Sequence, residues 1–138
     1  GAMAETGLAG LSAPSIADFE RLAAEAFDGL PADFRALCGN IVIQVEDFPT
    51  DEVQAEMRAG PFDLLGLFQG IGLAQDQAVP ETGRLPNMVF IYRRAILDYW
   101  AEHAETLGAI VTHVLVHEIG HHFGLSDDDM YAIERRAG

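Results

Sequence analysis

The sequence predicts an α+β domain in which a small twisted sheet of three or four strands packs against one buried helix. Short segments rich in β-branched or aromatic residues alternate with segments of helical periodicity. The helical segment at residues 105–123 is apolar around most of its circumference, which is typical of a helix buried on all sides. The 138 residues contain no internal repeat or interdomain linker, so a single core is expected.

Three segments are predicted as strands because they are short and rich in residues that favour extended backbone. They are residues 40–46, 64–69 and 88–92. Gly66 interrupts the second, which favours an edge strand or a bulge, and an extended peptide could pair with such an edge. Residues 71–86 contain two prolines and a glycine in their second half and are predicted to form an irregular loop.

Local signals mark where the helices begin and end. Ser15, or Pro14 before it, can begin a first helix that runs to about residue 27. Thr50 is predicted to cap a short helix over residues 51–57. Further helices are expected over residues 95–103 and 105–123, and Ser126 is predicted to cap a last helix that ends near residue 135.

The composition argues against several classes of partner. Eight basic and 22 acidic residues give a formal net charge of −14, which disfavours binding to nucleic acid or to anionic membranes.

The only cysteine, Cys38, cannot form an internal disulfide, and a cytoplasmic location is therefore expected. Gly1-Ala2-Met3 is typical of a cloning remnant, so residues 1–14 are expected to form a tail and residues 15–138 the domain.

A histidine-rich motif lies at the end of the predicted buried helix. It reads HEIGHHFGLSD from His117 to Asp127. Helical residues four positions apart are separated by about 40° around the axis and about 6 Å along it. His117 and His121 can therefore hold one metal ion from a single face, with Glu118 beside a water on that ion.

A third ligand requires the helix to end. On a continuous helix Asp127 would lie about 9 Å beyond His121 and roughly 240° around the axis, pointing away from the ion. Gly124 is the residue type that ends helices in a left-handed conformation, so the chain can turn and return Asp127 to the metal. Residues 126–129 also have the composition of an ordinary helix start, and Asp127 can serve both purposes.

The chemistry of such a site is hydrolysis of an amide bond. Zinc held by three protein ligands keeps a position for water and lowers the pKa of that water toward about 7. Glu118 would accept the proton and deliver it to the leaving amine. Tyr131 is the first candidate to donate a hydrogen bond to the developing oxyanion, with Tyr92 and Tyr99 behind it, although ordinary core packing also explains all three.

One further histidine lies on the same helical stripe. His113 precedes His117 by four residues, but about 12 Å of helix separates it from His121, which is too far for all three to bind one ion. His113 is therefore predicted to lie in the core or to support a ligand from behind.

The motif matches HExxHxxGxxD, the signature of the aspzincins, and the chain lacks the several cysteines of secreted fungal aspzincins. More closely, the chain resembles the small bacterial minimal zincin family, described as possible zinc metallopeptidases, over about residues 16–131. Beyond the motif, similar residues occur at Leu30-Pro31 with Phe34, Val45-Glu46-Asp47, Leu65-Gly66-Leu67, Leu85-Pro86 and Ile91-Tyr92.

The resemblance implies a minimal zincin-like fold and a zinc ion held by His117, His121 and Asp127, with Glu118 as general base. Two classes of function remain open: a small metallopeptidase acting on peptides or unfolded protein, or a zinc-binding regulatory or protein-interaction module with little or no turnover. Both need the ligands, but only catalysis needs Glu118. A third reading is a metal-free domain that keeps the motif as a relic of the fold.

Overall fold

The computed structural model describes residues 7–70 and 87–137, and it has the α+β architecture that the sequence predicts. The loop predicted at residues 71–86 lies outside the described residues, as do the first six residues of the predicted tail. The elements are, in chain order, a 3-10 turn at Gly7–Gly10, α1 at Ile16–Asp28, α2 at Ala32–Cys38, β1 at Ile41–Glu46, α3 at Asp51–Met57, β2 at Gly66–Gln69, β3 at Asn87–Tyr92, α4 at Arg93–Glu102, α5 at Leu107–His122 and α6 at Asp127–Arg136.

The described part of the sheet has three strands in the order β1-β3-β2. The central strand β3 pairs in parallel with β1, where Val45 is opposite Ile91, and antiparallel with β2, where Gly66 is opposite the same Ile91. Val89 and Ile91 are fully buried on the face that meets the helices. Within the described residues β2 pairs only with β3 and so lies at the edge of the described sheet, a position in which its glycine is favoured.

Helix α5 is the buried centre of the molecule. Thr106 caps it, accepting a hydrogen bond from the Ala109 N–H at 3.1 Å. Helix α1 and the sheet pack against it, and it has buried residues on most sides, as its sequence predicts. Its buried residues are Ile110, Val111, Val114, Leu115, Val116, Ile119 and Gly120.

Two glycines let neighbouring elements approach α5 closely. A Cβ at Gly66 of β2 would lie 2.6 Å from Val114 Cγ1 and 2.8 Å from the Phe90 carbonyl oxygen. A Cβ at Gly120 of α5 would lie 2.5 Å from the sulfur of Met130 in α6. The motif helix is therefore in close contact with the edge strand on one side and with α6 on the other.

Replacing Gly66 by alanine should destabilise the fold because the new methyl group would meet a backbone carbonyl that cannot move without shifting β3. We expect a loss of about 1–3 kcal/mol in the free energy of unfolding, measured by urea denaturation. The matched control is Gly108→Ala in α5, where the nearest atom is 3.9 Å from the new Cβ. That change should be neutral or should stabilise by up to about 1 kcal/mol, and equal losses in both variants would contradict the packing argument.

Differences from the prediction occur where long-range contacts decide the structure. Helix α2 was not predicted, since it is short and has no side-chain cap. Helix α4 begins at Arg93 rather than at residue 95. The Arg93 guanidinium donates to the Pro14 carbonyl oxygen at 2.7 Å and to Asp47 at 2.8 Å, so this side chain connects three parts of the chain.

The single cysteine is buried. Cys38 is 2% exposed, its thiol donates to the Phe34 carbonyl oxygen at 3.3 Å, and burial raises its pKa to about 11. Labelling of the native protein by a thiol reagent at pH 8 should be at least about 100-fold slower than labelling of the unfolded chain, and its rate should rise with pH up to about 11. Because the folded protein favours the neutral thiol, the associated stability is present below pH 9 and is lost between about pH 9 and 11. Rapid native labelling at pH 8 would contradict this prediction.

None of the helices in residues 7–70 and 87–137 combines the length and the apolar character needed to cross a bilayer.

Candidate metal centre

The motif lies on the last turns of α5 and on the bend that follows. Helix α5 ends as predicted, because Gly124 has a left-handed φ of 74°. The Gly124 N–H donates to the His121 carbonyl oxygen at 3.1 Å, and the Leu125 N–H donates to the Gly120 carbonyl oxygen at 2.9 Å. Ser126 then caps α6, its hydroxyl accepting from the Asp129 N–H at 3.1 Å.

His117 and His121 lie on the same side of α5 with their ring centroids 5.8 Å apart. Two imidazoles on one tetrahedral zinc would have centroids about 5 Å apart, given Zn–N bonds of about 2 Å. The observed centroid distance is therefore close to the one that a shared ion would need.

Asp127 is the first residue of α6, and its side chain is exposed. Three consecutive aspartates occupy this first turn, where negative charge is favourable to the helix dipole. The helix-start role of Asp127 is thus observed, whereas its role as a metal ligand stays a prediction.

The structure brings a different trio of ligand-type side chains together. His113 Nδ1 lies 2.6 Å from Glu134 Oε1, and His117 Nε2 lies 3.4 Å from Glu134 Oε2. One ligand atom from each of the three residues lies within 4.8 Å of the others. His113 is not a core residue, since its side chain is 47% exposed. His113 instead pairs with Glu134, and its role in supporting a ligand stays a prediction.

Sequence reasoning missed Glu134. Its only signal in the sequence is the spacing of four residues from Met130, which places both on one face of α6. That face packs on α5 through the close contact of Met130 with Gly120, and so the carboxylate reaches the histidines. The contact depends on the tertiary packing of the two helices.

His117 has the electrostatic state that a metal ligand requires. Burial lowers its pKa, the neighbouring His113 lowers it further, and Glu134 opposes both effects. Its Nε2 atom is buried and has no hydrogen-bond partner among the described residues. A neutral imidazole with an unused buried nitrogen, close to a second imidazole and a carboxylate, matches the donor set that zinc prefers. The residues present therefore fit a zinc ion.

Glu118 faces the sheet. Its Cγ lies 3.6 Å from the position of a Cβ on Gly66, so the carboxylate is beside the edge strand β2. Burial raises the pKa of Glu118, while His121 and the Phe68 N–H lower it. A carboxyl group whose pKa is moved toward neutrality can both accept and return a proton.

Of the three candidate tyrosines, Tyr131 is the one beside the motif histidines. Its ring lies 5.5 Å from that of His117, and its side chain is half exposed. Tyr92 is buried, and burial together with Glu46 and Glu118 raises its pKa. The Tyr99 hydroxyl donates to Glu105 at 3.4 Å.

His122 belongs to the packing of the motif helix rather than to the trio. Its ring stacks on Phe68 of β2 with centroids 4.0 Å apart.

Fold and site together define a small α+β domain whose buried helix presents a histidine-rich candidate metal centre. Residues 38–137, well over half of the chain, match the family model described as zincin-like metallopeptidase, and the chain belongs to this family. It is also similar in structure to a conserved hypothetical protein from Thermus thermophilus. The two are 19% identical, the match covers 79% of this chain and 94% of the other, and the TM-score is 0.52. At that identity the similarity shows the fold alone. No curated protein matches the chain.

Proposed function

We propose that the protein is a zinc-dependent peptidase that holds zinc with His117, His121 and Asp127 and uses Glu118 as the general base. The observation that carries the proposal is the position of Glu118, partly buried between the motif helix and the edge strand β2. Membership in the zincin-like metallopeptidase family supports the reaction class.

The proposed chemistry divides between the ion and the protein. Zinc, when bound, supplies a Lewis acid that lowers the pKa of a water molecule. Glu118 accepts the proton of the attacking water and passes it to the leaving amine. Burial, which raises the pKa of this carboxyl group, makes the carboxylate a stronger base and so makes the first transfer easier.

The proposed substrate is an extended peptide or an unfolded protein segment. Such a chain can add to the edge of β2 that faces away from β3 in the described sheet, through backbone hydrogen bonds. The close approach of Gly66 to Val114 holds this edge next to α5. Glu118 is close enough to β2 for hydrogen bonding to the Phe68 backbone to lower the pKa of its carboxyl group. A peptide paired with β2 would therefore lie next to the general base.

The test is a cleavage assay on zinc-loaded protein with a library of unstructured peptides, monitored by mass spectrometry. Cleavage that stops when a chelator removes zinc and resumes when zinc is restored is the expected result. Stoichiometric zinc without cleavage of any peptide would instead favour the zinc-binding interaction module, and a protein that takes up no zinc would exclude both functions.

A further inference from the structure

We propose that His113, His117 and Glu134 form a second position for a divalent transition metal such as Zn²⁺, and that this position competes with the His117–His121 position for a single ion. Neither the HExxH motif nor the family match assigns His113 or Glu134 to a metal. The proposal concerns binding alone and stands whether or not the protein hydrolyses peptides.

The spacing of the ligand atoms supports this position. Two ligands on a tetrahedral zinc lie about 3.4 Å apart when their bonds to the metal are about 2.0–2.1 Å long. His117 Nε2 and Glu134 Oε2 are 3.4 Å apart, and this pair does not meet hydrogen-bond geometry. The carboxylate is therefore beside the unused nitrogen at the separation of two ligands that share an ion.

The third ligand requires one hydrogen bond to be replaced. His113 Nδ1 donates to Glu134 Oε1 at 2.6 Å. Metal binding displaces a proton from a ligand of this kind, and the two atoms would then separate by about 0.8 Å to reach metal-ligand spacing. The His113 ring stacks on that of His117, with centroids 3.9 Å apart and planes inclined by 29°, so one ring must also turn for both nitrogens to point at one ion.

An ion can reach this position from solvent. A cleft of about 400 Å³ opens onto His113 and Glu134, and Glu105 adds a second carboxylate to its lining. Among the described residues that line the cleft there is no lysine or arginine, so the cleft attracts cations. Two imidazoles with one carboxylate favour zinc, cobalt or nickel over magnesium and calcium, which prefer oxygen ligands.

The two positions are mutually exclusive because the Nε2 atom of His117 has one lone pair and would bind one ion at a time. They also differ in their relation to Glu118. His113 and Glu134 lie where α5 meets α6, whereas Glu118 faces β2. An ion at the second position would be held away from the general base.

The experiment removes the His121 position and measures metal content. The His121→Asn/Asp127→Asn protein should still bind about one Zn²⁺ per folded chain, as measured by equilibrium dialysis and elemental analysis. When Co²⁺ replaces zinc, its absorption spectrum should be typical of coordination by nitrogen ligands. Adding His113→Asn or Glu134→Gln to this background should weaken zinc binding at least about tenfold. His122→Asn is the matched control from the same helix and should leave zinc affinity unchanged. Circular dichroism shows that each variant is folded.

Complete loss of zinc from folded His121→Asn/Asp127→Asn protein would overturn the second position and leave the proposed peptidase ligands intact. Zinc affinity that does not change when His113→Asn or Glu134→Gln is added would overturn it as well. Wild-type zinc binding that depends on Glu134 but not on His121 or Asp127 would instead support the second position and contradict the ligand set of the proposed function.

Discussion

Replacing Glu118 by glutamine should abolish peptide cleavage while leaving zinc bound. Glutamine has nearly the same shape as glutamate but cannot accept the proton of the attacking water. Loss of a general base typically costs about 10²–10⁴-fold in rate. The measurement is kcat/KM on the best peptide from the library, with the zinc content of the same sample determined by elemental analysis.

The matched control for this variant is Glu20→Gln, which makes the same chemical change at an exposed position of α1. It should retain wild-type activity and zinc content. Cleavage by Glu118→Gln at the wild-type rate would rule out Glu118 as the base. Loss of zinc together with activity would assign this carboxylate to metal binding instead.

Replacing His117 by alanine should remove high-affinity zinc binding altogether, because both proposed positions of the ion use its Nε2 atom. Loss of a residue that merely supports a ligand costs about 10–100-fold in affinity, so loss of this shared ligand should cost at least about 100-fold. Competition with a chromogenic chelator measures the change. The increase in Tm that zinc gives the wild-type protein should also disappear, since a ligand present at 100 times its Kd stabilises the folded state by about 2.7 kcal/mol.

His122→Ala is the control for His117→Ala, since it removes a nearby imidazole of the same helix, which packs on Phe68. Its zinc affinity should stay within a few fold of the wild type. If His117→Ala bound zinc as tightly as the wild type, neither proposed ion position could be correct.

The elements that the sequence predicts well are those specified by local chemistry. Thr50 caps α3 and Ser126 caps α6 through their hydroxyl groups, at the positions expected from the sequence. Gly124 has the left-handed conformation that its residue type favours at the end of a helix. These signals act over a few residues, so they can be read without knowledge of the fold.

The features that the sequence did not reveal depend on contacts between distant residues. Glu134 reaches His113 from 21 positions along the chain, and Arg93 reaches Pro14 across 79. No periodicity within a short segment contains this information. The spacing of the motif histidines on one helix predicts their pairing, whereas the position of the Glu134 carboxylate beside His117 depends on the packing of α6 against α5.

The close contacts at Gly66 and Gly120 have a consequence for how the protein would take up its metal. These two contacts fix the backbone of α5 from opposite sides. The buried apolar core includes none of the proposed ligands, so the core does not depend on the metal. Chelator-treated protein should therefore keep its native secondary structure and cooperative unfolding. Loading would then require only reorientation of imidazole and carboxylate groups on a preformed scaffold, so uptake would not have to wait for a folding step.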